Sequence, residues 1–269
     1  MLFRSEVFPG HVAGSLCGAA MSSKASTTIG FERRFNHALA GSYEDFMARA
    51  AGPQPLRPPN MEAIVELNRG PFLAAQPRLA RLDDEPADAV VLDVRDARAF
   101  AAGHRPGAIN VPVSGSRFGT RAAFVLPERP LALDVVDEAE AGLAARRLHA
   151  VGIFALLGWR QGGGEERVEP VTIEELERRL AAGEIELVDV RESEELGDGF
   201  IPGSTHLPYH EARDAVLAGV AAERPIVTIC ESGARASIAA SVLHAAGLDA
   251  RPVLDAGIDE WRARGGATT

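Results

Sequence analysis

The stretch LVDVRESEELGDGFIPGSTHLP, residues 187–208, has a counterpart in VLDVRDARAFAAGHRPGAINVP, residues 91–112. In both, an apolar run ends on Asp-Val-Arg, a helical segment follows, and a Pro-Gly pair leads into a second short strand. Asp93 and Asp189 are 96 residues apart. Further on, ERPLALDVV (128–136) matches ERPIVTICE (223–231), and LHAVG (148–152) matches LHAAG (243–247), both at an offset of 95. Self-similarity at a fixed offset means that one structural unit occurs twice.

Each unit alternates strand and helix signals, which predicts an α/β fold with a mainly parallel sheet covered on both faces. The second unit is the clearer. Thr172 opens TIEELERRLAAG, with Glu175 three residues on as a capping box and Gly183 as the stop. A strand is expected at 185–190, a helix after Arg191, a short strand at 205–208 and a helix over 210–220. PIVTIC reads as a buried strand, ARASIAASVLHAAG as a helix, RPVLD as a strand and GIDEWRARGG as a closing helix. Residues 51–60, with four prolines, exclude a continuous helix or central strand. The glycine-rich, then charged run at 160–170 reads as the separator of the two repeats. The expected domains are 1–60, 61–162 and 168–269.

Bulk properties narrow the function classes. The chain has 269 residues, 46% of them hydrophobic and 25% charged, enough for ordinary globular cores. A formal net charge of −10, without a concentrated basic run, argues against nucleic acid or anionic membrane as a partner. Two cysteines far apart, Cys17 and Cys230, do not make a disulfide framework and point to a reducing, cytoplasmic compartment. No apolar stretch reaches the roughly 18–20 residues of a membrane span, and no signal peptide is read.

Chemistry concentrates at Cys230. It ends a β-branched strand, where ligands bind in a parallel α/β sheet. Glu231, Ser232, Gly233 and Ala234 then turn directly into a helix that begins beside Arg235. Loop amides, the helix N-terminus and a permanent cation together favour a thiolate. Gly233 permits a backbone conformation that a Cβ hinders. A lone cysteine in an apolar strand is most often an inert small hydrophobe. The combination of strand end, glycine, arginine and helix moves the reading to a nucleophile, provided that Sγ is reachable from solvent and the guanidinium faces it.

The segment C-E-S-G-A-R-A-S, 230–237, resembles the active-site loop of the rhodanese family of sulfurtransferases, whose pattern is C-x-x-G-x-R-[SA]. D-V-R-E, I-P-G-S and G-I-D-E-W resemble the family's other signatures in the right order, over about 171–267. The resemblance implies that Cys230 takes a sulfane sulfur, becomes a persulfide and passes the sulfur to a thiol or cyanide. Arg235 and the amides of Glu231, Ser232, Gly233, Ala234 and Ala236 would hold the anionic sulfur, with no cofactor. Related phosphatase loops place five residues between cysteine and arginine rather than four, so this shorter cradle is expected to fit sulfur and exclude phosphate. The expected partners are a small sulfur donor and a thiol acceptor. Glu231 is expected to disfavour an anionic donor such as thiosulfate.

At the offset of 95, Cys230, Gly233 and Arg235 correspond to Val135, Glu138 and Glu140, so the first copy resembles a rhodanese domain without a competent site. Asp93, Arg95, Asp189 and Arg191 read as structural ion pairs or strand-end caps. Residues 6–36 fit neither copy and resemble the C-terminal part of a metallo-β-lactamase fold, as in persulfide-dioxygenase-like proteins fused to rhodanese domains. His11, in Pro-Gly-His, matches a late metal-site histidine of that fold and is a vestigial candidate only, because the cluster T-H-x-H-x-D-H is absent from the sequence. A metal needs three or four ligands. His37, His104, His149, His206, His210 and His244 are scattered and read as core or surface residues, so no metal site is expected. Cys17 reads as structural. The chain is read as the tail of a longer three-domain protein, with 1–50 poorly packed beyond a helix or two. A sulfurtransferase is the leading expectation. A sulfur-carrier or regulatory module without turnover is the alternative, and persulfide oxidation at bound iron lacks its ligands here.

Overall fold

The computed structural model describes residues 4–8, 26–36, 39, 41–50, 56–70, 78–83, 88–115 and 117–269. The chain divides into two compact units, Met1–Arg57 and Pro58–Thr269. In the first, β1 (Glu6–Val7) pairs antiparallel with β2 (Thr27–Thr28). Helix α1 (Ile29–Phe35) starts where the Thr28 hydroxyl accepts from Phe31 N–H, a standard N-cap. Helix α2 (Tyr43–Ala50) starts at Ser42, which exchanges side-chain and backbone hydrogen bonds with Asp45. No residue up to Arg57 whose burial is described is buried.

The second unit holds α3 (Met61–Arg69) and then two sheets. Its first half runs β3 (Val90–Asp93), α4 (Ala97–Ala102), β4 (Ile109–Asn110), α5 (Phe118–Val125), β5 (Leu131–Val135), α6 (Glu138–His149) and β6 (Leu156–Gln161). Its second half runs α7 (Ile173–Ala181), β7 (Glu186–Asp189), β8 (Thr205–His206), α8 (Ala212–Leu217), β9 (Ile226–Ile229), α9 (Ala234–Ala245), β10 (Ala250–Pro252) and α10 (Ile258–Ala263). The sheets are parallel, with orders β4-β3-β5-β6 and β8-β7-β9-β10, so corresponding strands take corresponding places. This is the α/β class expected from the alternating pattern. Asp93 pairs with Asp134 and Asp189 with Ile229, which makes Val135 and Cys230 equivalent positions.

Two departures from the sequence reading matter. After Arg191 the chain forms a 3-10 helix, Ser193–Asp198, which carries Gly197, ends at Gly199 and is followed by Pro202. Residues 160–170 are also no loose spacer. Arg160 and Gln161 belong to β6, and a Cβ on Gly164 would lie 2.0 Å from the His104 carbonyl oxygen. Gly164 there serves close backbone approach rather than flexibility.

Packing ties the two halves together. One apolar core combines Leu92, Val111, Phe118 and Leu133 with Val188, Val190, Cys230 and Ile238. A second core, with Leu176, Leu187, Val227, Ile229 and Trp261, belongs to the second half alone. Side chains alternate along a strand, so Val227 and Ile229 enter one core while Ile226 and Cys230 enter the other. Helix α9 lies between, with every residue from Ala236 to Leu243 buried. Asn110 N–H donates to Ser241 Oγ at 3.0 Å across the same boundary.

Candidate active site around Cys230

Strand β9 ends at Ile229 and delivers Cys230 to the C-terminal edge of its sheet. The Cys230 carbonyl accepts from Ile258 N–H at 3.0 Å, which pins the loop to the start of α10. Gly257 makes this approach feasible, since a Cβ there would lie 2.2 Å from the carbonyl oxygens of Cys230 and Glu231. Gly233 adopts φ +86°, and its Cβ would sit 2.8 Å from Asp255 N, so conformation and space both demand glycine. From that position Gly233 N–H donates to Cys230 Sγ at 3.2 Å. Helix α9 begins at the next residue, its N-terminus towards the sulfur.

The remaining site residues arrange themselves less simply. Glu231, Ser232 and Ala234 are exposed, while Gly233 and Ala236 are buried. The Ala236 carbonyl accepts from Thr228 Oγ1 at 2.9 Å, which fixes the first turn of α9 to β9. Cys230 is only 1% exposed, so the expected solvent-reachable thiol is not found. The cause is tertiary: this face of the strand enters the apolar core that the two halves share. Arg235 likewise does not point its charge at sulfur alone. Its guanidinium makes a two-pronged pair with Glu195, Nη2 lying 2.7 Å from Oε1 and Nη1 closing on Oε2, and Glu231 lies 3.9 Å away. Burial works against the Arg235 charge, but the Glu195 carboxylate outweighs it and holds the guanidinium above its ordinary value. For Glu195, burial raises and Arg235 lowers; the carboxyl ends below its usual range.

Glu195 was not singled out from sequence, although it sits in the acidic run after Asp-Val-Arg. Its placement depends on a buried pair. Arg191, 3% exposed, binds Asp189 at 2.7 Å and also donates to the carbonyls of Glu195 and Gly199. Arg95 and Asp93 repeat this arrangement at 2.5 Å, with Gly103 as the carbonyl partner. These four residues are ion pairs, as read from sequence. Two more groups converge from outside the loop. Arg121, on α5 of the first half, is pushed down by burial, and its charge also feels Tyr209, Arg235 and Cys230. Tyr209 is buried beside Phe124 of the same helix. No sequence signal marked either one, because neither lies in the loop.

At the equivalent place in the first half, Val135 is buried and α6 starts with only Val136 and its Asp137 cap between. Glu140 Oε2 accepts from Val136 N–H at 2.6 Å, so an acidic side chain occupies the amide. A cavity of about 960 Å³, lined by Ile109, Leu126, Arg129, Phe154 and Arg213 among others, lies elsewhere, and Cys230 is not in its wall. His11 and Cys17 lie outside the described residues, as does His37. No described helix is long and apolar enough to cross a membrane.

A family model described as Rhodanese-like domain matches residues 172–264. The HTH-type transcriptional regulator Rv0324 of Mycobacterium tuberculosis is 41% identical over 99 residues, 36% of this chain and 43% of the regulator. The thiosulfate sulfurtransferase GlpE of Pseudomonas savastanoi pv. phaseolicola is 34% identical over 77 residues, 29% of this chain and 72% of that enzyme. The chain belongs to the rhodanese-like family. A crystallised metallo-β-lactamase from Staphylococcus aureus subsp. aureus COL aligns at 22% identity and TM-score 0.49, over 58% of this chain and 45% of its own. The chain thus spans less than half of both the regulator and that structure. The rhodanese-like match begins at the Thr172 cap of α7 and ends after α10, so it contains the Cys230 loop, Arg235 and Glu195.

Proposed function

We propose that this chain is a rhodanese-type sulfurtransferase with its site at Cys230, and that the first half is a second rhodanese-like domain without a nucleophile. The observation that carries the reading is the Gly233 amide donating to Sγ where β9 meets α9. A charged sulfur at that atom gains an amide donor and the positive end of a helix. The Cys230 thiolate attacks the outer sulfur of thiosulfate or of a persulfide. The S–S bond of the donor breaks, its electrons leave with sulfite or with the donor thiolate, and a Cys230 persulfide remains. An acceptor thiolate, or cyanide, then attacks the outer sulfur and returns the Cys230 thiolate.

Because Arg235 is held by Glu195, an anionic donor that draws on the guanidinium must displace that carboxylate. Anionic donors therefore compete with an internal carboxylate, and Glu231 adds to that competition. The test is sulfite release from thiosulfate with cyanide as acceptor, alongside intact mass after donor treatment. Wild type is expected to gain one sulfur and turn over. Cys230→Ser is expected to do neither, and equal activity in the two proteins ends the proposal.

The burial of Cys230 and the similarity to a named transcriptional regulator favour a second reading, a sulfur-carrying or sensing module. One sulfur gained without multiple turnovers, under conditions where acceptor thiol is in excess, selects it.

A further inference from the structure

Away from the cysteine loop, three groups that sequence left scattered come together where the halves meet. His104 follows α4, and Glu166 follows β6. Their backbones are locked by reciprocal hydrogen bonds, His104 N–H to Glu166 O at 2.9 Å and Glu166 N–H to His104 O at 3.2 Å. His244 sits in the last turn of α9, in the second half. Glu166 Oε2 lies 3.7 Å from His104 Nε2 and 3.7 Å from His244 Nε2, and the three donor atoms fall within 4.8 Å of one another.

The state of His104 is the decisive point. Its ring is stacked on Phe100 with centroids 3.8 Å apart, and the residue is 0% exposed. Nδ1 is 2.9 Å from the Phe100 carbonyl, which can only accept, so Nδ1 carries a proton. In the neutral imidazole this leaves the lone pair on Nε2. That Nε2 is buried and has no hydrogen-bond partner. It faces a carboxylate oxygen at a distance too long for a hydrogen bond. Electron-rich atoms pointed at one another beside a buried, unpartnered Nε2 are stabilised by a positive charge between them. A histidine whose other ring nitrogen donates to a carbonyl is also the orientation that metal ligands adopt.

We propose that His104, Glu166 and His244 hold a divalent cation of the zinc class, which fastens α9 of the second half to the first. With bonds of about 2.0–2.1 Å, ligand atoms of a tetrahedral site lie about 3.4 Å apart, so closing this set takes side-chain shifts on the order of 1 Å or less. Two imidazoles and a carboxylate suit a borderline cation, and the fourth position is left to water. The partly exposed Glu166 gives the ion a way in. The opposite end of α9 carries Gly233 and Arg235, so the ion fixes the helix on which the cysteine loop is built.

The test uses the full chain, stripped with a chelator and titrated with Co²⁺ and then Zn²⁺. One equivalent of Co²⁺ is expected to give intense visible bands of a tetrahedral site, Zn²⁺ should displace it, and Zn²⁺ should raise Tm. His244→Gln and Glu166→Gln change partly exposed side chains and should each weaken binding at least about tenfold while leaving circular dichroism unchanged. Cys230→Ser should bind as wild type does. Absence of the bands at stoichiometric Co²⁺, their persistence in both ligand variants, or their loss in Cys230→Ser overturns the assignment.

Discussion

At Gly233 a single residue sets both the shape of the cysteine loop and the amide that meets sulfur. Alanine there has to adopt φ +86° and push against Asp255 N. We expect Gly233→Ala to destabilise the protein by about 2–4 kcal/mol, the sum of left-handed strain and overpacking, read by urea unfolding. Glu195 acts on function in the opposite sense. Glu195→Gln keeps the shape but weakens the hold on Arg235, so the KM for thiosulfate should fall about two- to fivefold, the scale of a partly exposed ion pair. An unchanged KM would detach Glu195 from donor binding. The same carboxyl has a depressed pKa in the folded chain. Its contribution to stability is therefore complete above the pKa of an unfolded glutamate and fades as pH falls through the lower, folded value. Tm profiles of wild type and Glu195→Gln should accordingly converge in acid and separate towards neutral pH.

Among the elements, the short 3-10 helix Ser193–Asp198 does more than a regular helix in its place. It hangs on Arg191, whose guanidinium joins Asp189 to the carbonyls of Glu195 and Gly199. Arg191→Met strands the buried Asp189 carboxylate and should cost about 3–5 kcal/mol, measurable by chemical denaturation. A loss under 1 kcal/mol would mean that the pair is dispensable. The capping of α7 is simpler. The Thr172 hydroxyl accepts from Glu175 N–H at 3.2 Å. Its replacement by alanine is expected to cost about 1 kcal/mol. That helix was legible because its cap, apolar period and glycine stop are all local. The 3-10 helix was not, since Ser-Glu-Glu-Leu reads as helix until the glycines and the Arg191 carbonyl contacts are weighed.

On the scale of the whole molecule, the shared core explains why Cys230 is buried. Residues 168–269 alone would lose the first-half side of the core that holds Val188, Val190, Ala236 and Ala240. We expect that fragment to self-associate and, where soluble, to react with a thiol reagent much faster than the intact chain, as a stopped-flow comparison would show. Equal rates would place the barrier to Cys230 within its own loop. From sequence alone came the two similar segments, the parallel α/β class and the Cys-x-x-Gly-x-Arg loop. These are properties of local pattern: strand period, turn glycines and capping residues act over a few positions. Which face of β9 the cysteine occupies, that Glu195 rather than sulfur takes Arg235, and that His104, Glu166 and His244 meet were decided only by tertiary structure. Each depends on residues 40 or more positions apart being brought within a few ångströms by the packing of one half on the other or of one strand edge on the next helix, and no local periodicity encodes such distances.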